Sequence, residues 1–317
     1  MKCIGIICSG GDVSGMNPAL KHFVEYTLKN NLRPYFIYNG YEGLIDNNIR
    51  LASYNDVAGI INKGGTIIGS ARSKRFLEKR YREEAYKNLQ KHSIEMLVIL
   101  GGDGSMRGIN LFYNEFGIPF SAIGATIDND INNTDYTLGV DTALNVIKTA
   151  IDAIRDTASS FKRAFIIETM GRDCGYLALV SHLTSGSELC LIPEVTYNLK
   201  EYEEDFKQQI QNGRSYFIVI ASEGIAQDTK EIAQWFEESL GVEARVSVLG
   251  HIQRGGNPTI YDRLMAYRFV HYAIDNLLNG EKNSVVCYYT QEGFKISTIE
   301  DVVEKKKKLS KELLALL

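Results

Sequence analysis

The sequence predicts an α/β fold, with parallel sheets and helices on both sheet faces. Three observations carry that reading. Short apolar runs alternate with longer amphipathic segments along the chain. Most of the short runs are continuously apolar, as suits strands buried on both faces. The 317 residues, 44% of them hydrophobic and 23% charged, supply a sizeable core and a length that suits two domains or one large one. Such a composition excludes intrinsic disorder.

Taken in order, the apolar runs place strands at 3–8 (CIGIIC), 34–38 (PYFIY), 96–100 (MLVIL), 120–123 (FSAI) and 164–168 (AFIIE). Further strands are expected at 188–192 (ELCLI), 216–221 (YFIVIA), 245–249 (RVSVL) and 285–289 (VVCYY). Helices are expected between them at 18–29, 78–92, 105–116, 142–157, 201–212, 229–240 and 258–279. Pro18 and Pro258 stand where two of these helices begin, which suits a fixed φ and a missing N–H. No linker rich in Ser, Gly or Pro interrupts the chain, so a domain boundary is not visible as a shift in composition.

Charge and cysteine content narrow the setting. Thirty-five Lys and Arg against 39 Asp and Glu give a net charge of -4, which argues against a nucleic-acid partner. The five cysteines (Cys3, Cys8, Cys174, Cys190 and Cys287) are odd in number and form no C-x-x-C pair. That argues against a disulfide framework or zinc site and for a reducing, cytoplasmic compartment. The apolar run after Lys2 is too short for a signal peptide, and no stretch approaches the length of a membrane span. The Lys305–Lys308 run beside Leu309, Leu313, Leu314, Ala315 and Leu316 reads as a solvated helix face next to an apolar stripe.

Chemistry concentrates at strand ends. Gly101-Gly102-Asp103-Gly104-Ser105 lies between a strand and a helix, where glycines and free N–H groups admit a phosphate. A carboxylate repels phosphate unless a cation lies between, so Asp103 points to Mg²⁺; the other reading is a turn that Asp103 caps. A relaxed dinucleotide fingerprint fits the loop poorly because of that acid, and no Walker A motif is present. Ser9-Gly10-Gly11-Asp12 repeats the strand-then-Gly-Gly-Asp pattern and leads to Asn17; it offers either a phosphate turn or a tight turn closed by an Asn17 cap. Two such turns suit the two sides of one crevice.

Thr126-Ile127-Asp128-Asn129-Asp130 follows the strand at 120–123. One carboxylate there suits a base for a substrate hydroxyl, while an acidic turn built on Asx hydrogen bonds explains the same residues. Arg72, Arg163, Arg172, Arg245, His251 and Arg254 stand in glycine-containing or strand-end contexts. Together they imply an anionic substrate, although a surface salt bridge accounts for any one of them. Glu223 ends the strand at 216–221, where it suits either sugar hydroxyls or a capping role.

These motifs, in this order and spacing, resemble the ATP-dependent 6-phosphofructokinases of bacteria. The resemblance runs from Lys2 to about Gly280, and also takes in Gly64-Gly65-Thr66, Gly69-Ser70-Ala71-Arg72, Asp141-Thr142-Ala143, Met170-Gly171-Arg172 and Leu249 to Gly256. It implies two similar three-layer αβα domains with mainly parallel sheets and the active site in the cleft between them. The larger, ATP-binding domain would comprise 1–138 with 257–300, and the smaller, fructose-6-phosphate-binding domain 139–256 with 301–317. It implies transfer of the γ-phosphoryl group of Mg-ATP to the 1-hydroxyl of fructose 6-phosphate. Gly11, Arg72, Ser73, Gly102, Asp103, Gly104 and Ser105 would hold ATP, with Asp103 on Mg²⁺. Asp128 would be the base, with Thr126, Arg172 and Arg72 near the transferring group. Thr126, Ile127, Asp128, Met170, Gly171, Arg172, Glu223, His251 and Arg254 would bind the sugar phosphate. Arg163 and Arg245 would reach the substrate of a neighbouring subunit in a homotetramer.

Where the chain departs from the family, the resemblance is still informative. Pyrophosphate-using relatives carry a second Asp at the position of Gly104 and a Lys at that of Ala125, so ATP is the expected donor. Lys21, Arg155, Glu188 and Arg214 match an effector site, whereas Glu25, Ser53 and Asn212 stand where the pattern has basic residues. Effector control by ADP or phosphoenolpyruvate is therefore expected to be weak. Alternatives are a pyrophosphate-dependent relative, a non-catalytic nucleotide or sugar-phosphate sensor, and, least favoured, a nicotinamide-dependent dehydrogenase.

Overall fold

Strand β1 (Cys3–Cys8) opens a computed structural model that describes residues 1–317. It is followed by α1 (Met16–Lys29), β2 (Arg33–Ile37), α2 (Gly40–Ile45), β3 (Ile49–Leu51), α3 (Lys79–Lys91), β4 (Ile94–Gly101), α4 (Asp103–Phe116) and β5 (Phe120–Gly124). Helix α5 (Val140–Phe161) leads to β6 (Ala164–Thr169), α6 (Tyr176–Ser185), β7 (Leu189–Leu191), α7 (Leu199–Gln211), β8 (Phe217–Ser222), α8 (Thr229–Leu240) and β9 (Ala244–Val248). A 3₁₀ turn, Gly250–Arg254, precedes α9 (Ile260–Leu278), β10 (Asn283–Tyr289), β11 (Gly293–Thr298), α10 (Ile299–Val303) and α11 (Lys311–Leu314).

The chain forms two units: Met1–Thr142 with Arg254–Lys307, and Ala143–Gln253 with Lys308–Leu317. These bounds lie a few residues from those expected, with one clear difference. Residues 301–307, expected in the smaller unit, belong to the larger, because Ile299, Val302 and Val303 are buried in its core. Burial of three apolar side chains outweighs the exposed charges around them.

The first unit holds a seven-stranded sheet in the order β11-β10-β5-β4-β1-β2-β3. Pairing is parallel except at the two edges, where β11 and β3 run antiparallel to their neighbours. Alternate residues, such as Ile7, Ile37, Leu97, Ile99 and Ala122, pack on one face with Leu44, Leu89, Ile109, Phe112 and Val302. On this face lie α2, α3, α4 and α10, while α1 and α9 pack together and against β2 and β5. The second unit holds a four-stranded parallel sheet, β7-β8-β6-β9. Phe206, Ile232 and Phe236 from α7 and α8 cover Ile166, Phe217 and Val219, and α6 packs on β7 and β8. Both units are thus αβα layers, the first with a mainly parallel sheet and the second with a parallel one, the α/β class read from the continuous apolar runs.

Candidate functional site

In the first unit the strand order reverses between β1 and β4, since β2 lies on one side of β1 and β5 on the far side of β4. Register aligns the strand ends there: Cys8 opposes Leu100, and Gly101 opposes Gly124. Open α/β sheets bind ligands at such a reversal, outside the carboxyl ends of the strands. Three loops emerge at this point and are laced together. Ser9 N donates to Leu100 O at 2.9 Å, and Ala125 N donates to Gly101 O at 2.9 Å. The Ser105 hydroxyl donates to Ser9 Oγ at 2.9 Å, and Tyr41 Oη donates to Ser105 O at 2.6 Å.

The first loop is also tied to segments far away in sequence. Ser70 Oγ donates to Gly10 O at 3.0 Å and Gly10 N to Ala71 O at 3.3 Å, which sets Arg72 and Ser73 beside it. Arg72 is exposed; Ser73 accepts at Oγ from Phe76 N at 3.0 Å. Asn17 does not cap α1, whose N-cap is Gly15. Asn17 instead lies buried within the helix, where its side chain donates to Gly64 O at 2.9 Å and accepts from Ile67 N at 2.7 Å. Pro18 accordingly falls at the third helical position, still within the turn whose N–H groups lack helical partners. Gly11 lies against the guanidinium of Arg254: a Cβ there would come 2.6 Å from Arg254 Nη1 and displace that flexible side chain. Gly11 and Arg254, expected to serve different ligands in different domains, thus sit together in the first unit.

The second loop starts α4. Gly102 is the N-cap, with no side-chain cap, so the reading of Asp103 as a cap is not met. The Asp103 carboxylate instead pairs with Arg107 Nε at 2.8 Å, both side chains being about half exposed. Ser105 is buried. Gly104 is different from Gly11: a Cβ placed on it meets nothing within 4 Å. No group of three or more His, Cys, Asp or Glu is arranged to hold a metal ion. Asp103, a half-exposed carboxylate beside the Gly102–Ser105 turn, is the one acidic side chain there that could take a hard cation together with phosphate oxygens and water.

The third loop carries Thr126, Ile127 and Asp128. Asp128 is buried, with 2% of its surface exposed, although it is a carboxylate at a strand end. Its N–H donates to Thr126 Oγ1 at 3.2 Å, and Thr126 O accepts from Thr137 Oγ1 at 2.6 Å. Asn129 takes a left-handed backbone, φ 52°, and donates to Asp135 O at 3.0 Å. That bond runs from the Asn129 amide to a carbonyl six residues on and is not an Asx bond, and the loop leaves Asp128 beside Thr126. Gly102 adjoins the same place, since its added Cβ would come within 3.8 Å of Thr126 Cβ. Asp130 lies half-buried two residues on.

In the second unit the ends of β6, β8 and β9 align, with Thr169 opposite Ser222 and Glu168 opposite Val248. The Glu223 carboxylate accepts from Gly171 N at 3.2 Å and from Arg172 N at 2.9 Å, so it holds the Met170-Gly171-Arg172 turn rather than capping the segment after it. Buried Gln253 accepts from Met170 N at 3.1 Å. Gly224 is required by close approach, because its Cβ would fall 1.8 Å from Arg172 O. Arg172 itself has φ 53° and an exposed side chain. His251 is exposed in the 3₁₀ turn. Arg163 pairs with Glu243 through Nε at 2.6 Å, and Arg245 pairs with the same carboxylate.

The residues expected at an effector site are engaged within the chain. Lys21 pairs with Glu25 at 2.5 Å, Arg155 Nη2 donates to Ser185 O at 2.6 Å, and Arg214 pairs with Glu188. Four residues beside the expected site residues escaped the sequence reading: Tyr41, Arg107 and Asp262 in the first unit and Glu243 in the second. Arg107 was readable as the i+4 partner of Asp103. Asp262 was readable from Thr259-x-x-Asp262 at a helix start, where Thr259 Oγ1 accepts from Asp262 N at 3.2 Å. Tyr41 and Glu243 gave no local signal, since their partners are set by the sheet and its loops.

All five cysteines are free and buried, and no helix is long and apolar enough to cross a membrane. A family model described as phosphofructokinase matches residues 3–277. A protein of Sulfurimonas denitrificans named ATP-dependent 6-phosphofructokinase is 66% identical over 317 residues, covering 100% of this chain and 99% of that protein. One of the same name from Sulfurovum sp. is 58% identical over 318 residues, covering 100% of this chain and 96% of that protein. The solved phosphofructokinase from Saccharomyces cerevisiae superimposes with a TM-score of 0.91 at 30% identity, over 96% of this chain and 45% of that longer chain. The match spans the strand-end loops of both units, and the chain belongs to the phosphofructokinase family.

Proposed function

We propose that the chain transfers the γ-phosphoryl group of Mg-ATP to the 1-hydroxyl of fructose 6-phosphate, giving fructose 1,6-bisphosphate and ADP. The observation that carries this reading is the junction at the β1/β4 reversal. There the buried Asp128 carboxylate stands beside Thr126 and the Gly102–Ser105 turn. A base for a hydroxyl and a glycine turn for phosphates are the two halves of such a transfer. Asp128 takes the proton of the 1-hydroxyl as its oxygen bonds to the γ-phosphorus. The bond from that phosphorus to the β,γ-bridging oxygen breaks, and ADP leaves. Gly11 and the α4 N-terminus hold the donor phosphates. Thr126 Oγ1, Arg72 and Arg172 serve the transferring group. Asp103 would hold magnesium, which when bound neutralises charge on the phosphate oxygens.

Met170, Gly171, Arg172, Glu223, His251 and Arg254 serve the sugar phosphate, with Glu223 and Gln253 fixing the turn that carries the first three. Arg163 and Arg245 serve the substrate of a neighbouring copy in a homotetramer, and Glu243 holds both. The five buried thiols suit a cytoplasmic setting. Gly104 supports ATP as donor. Glycine in a helix costs about 1 kcal/mol relative to alanine, and no neighbour within 4 Å demands one here. A ligand that needs the space accounts for it.

Product formation from fructose 6-phosphate and Mg²⁺, with ATP and pyrophosphate supplied separately, tests the reading. Fructose 1,6-bisphosphate with ATP alone is expected. Product with pyrophosphate alone would overturn the donor, and no product from folded protein that binds ATP would favour a sensor. Effector control is weak in the same reading, because Glu25 stands where the pattern has a basic residue and pairs with Lys21. Rate curves against fructose 6-phosphate should move little with ADP or phosphoenolpyruvate. A strong response abolished by Arg155→Ala would contradict this.

A further inference from the structure

We propose that Arg107 is a positioning residue that competes with the divalent cation for the Asp103 carboxylate, and so sets how much Mg²⁺ the protein needs to bind ATP. The inference rests on the reading that Asp103 holds the cation. Arg107 Nε lies 2.8 Å from Asp103 Oδ2, one helical turn away in α4. Its Nη2 donates to Val303 O at 2.5 Å. Val303 is the last residue of α10 and is itself buried in the first unit's core. The guanidinium is therefore anchored from behind by a fixed carbonyl and aimed at the carboxylate.

A guanidinium and a divalent cation want the same lone pairs on Asp103. A cation takes them by direct coordination, and the N–H donors of Arg107 take them by hydrogen bonding. Binding the cation thus requires Asp103 to give up Arg107 or to share an oxygen with it. Because both side chains are about half exposed, water screens the pair and keeps the competition modest. The arrangement also keeps Asp103 from facing incoming phosphate as a bare negative charge.

The test is calorimetric binding of ATP over a series of Mg²⁺ concentrations, with no sugar substrate present. Arg107→Met should lower the Mg²⁺ concentration for half-maximal binding by about two- to fivefold, the range expected for an exposed pair. Arg107→Lys keeps the charge and should fall between that variant and the parent protein. Tighter metal-dependent binding is a gain, which damage to the fold would not produce, and a matched thermal midpoint for each variant checks this. An unchanged or raised Mg²⁺ requirement in Arg107→Met overturns the proposal. Asp103→Asn separates the two layers of argument. If it raises the Mg²⁺ requirement while Arg107→Met does nothing, the metal reading stands and the role of Arg107 falls. If Asp103→Asn leaves the requirement unmoved, both fall.

Discussion

In the proposed reaction one side chain, Asp128, is the base. A buried carboxylate is held for a reason, because burial disfavours its charged form. Asp128→Asn preserves shape and removes the proposed base. Its turnover should fall by about 10²–10⁴-fold with a smaller change in KM for fructose 6-phosphate, since the lost interaction belongs to the transition state. Steady-state rates with near-parental turnover would remove Asp128 from that role. Gly104 gives a second residue-scale test. An Asp there meets no protein atom within 4 Å of its Cβ, so the fold should accept it. Gly104→Asp should leave the thermal midpoint close to the parent's and weaken ATP binding at least about tenfold, roughly 1.4 kcal/mol. Retained ATP affinity would show that the space serves something else.

Among the elements, Asp262 at the start of α9 secures the far end of the Asp128 loop. Its carboxylate accepts from Gly139 N at 2.6 Å, Thr142 N at 2.8 Å, Thr142 Oγ1 at 2.5 Å and the Tyr136 hydroxyl, and it is fully buried. An amide cannot accept at both ends, so Asp262→Asn turns one of the two oxygens into a donor; a hydroxyl can turn to accept from it, but a backbone N–H of Gly139 or Thr142 is left facing a donor. The variant should lose about 1–3 kcal/mol of stability, read from urea unfolding. Less than a few tenths would mean that the segment 136–142 has another anchor. The long parallel strands were legible because each is a continuous apolar run, and their observed bounds lie within two residues of the expected ones. What escaped has physical reasons. Strands β3 and β11 are edge strands whose exposed residues break the apolar pattern. Helix α2 holds two glycines in six residues, and α10 is five residues long. Helix α6 is apolar enough, YLALVSHLTS, to lack a polar face. The Gly-Gly-Asp echo announced both turns of the first unit. The tie between Asn17 and Gly64, 47 residues apart, exists only once the sheet has formed.

At the scale of the molecule, burial of titratable groups sets how stability follows pH. Burial pushes His22 down to about 4 from 6.5, opposed by Glu25 and aided by His271 and Lys21. His92, His182 and His271 are also lowered, in each case chiefly by burial. An imidazole lowered in the fold binds its proton more readily when unfolded. Stability is therefore fully present above 6.5 and falls as pH drops through the window from 6.5 to about 4. Glu115 and Asp46, held down by hydrogen bonds from Arg82 and Arg75, add to the loss at lower pH, while Asp262, raised by burial, offsets part of it. On the alkaline side, burial raises Cys8 and Cys190 to about 12 and Cys287 to about 11 from 9.0. These thiols stay protonated in the fold and ionise more easily in the unfolded chain, so stability falls as pH rises past 9.0. The thermal midpoint should hence be highest between about pH 6.5 and 9 and decline on both sides. His22→Gln removes one of the imidazoles and should flatten the decline between pH 6.5 and 4 while leaving the alkaline limb in place. Thermal scans across that range decide it: an acid limb identical in parent and variant would mean that His22 takes up its proton equally well folded and unfolded.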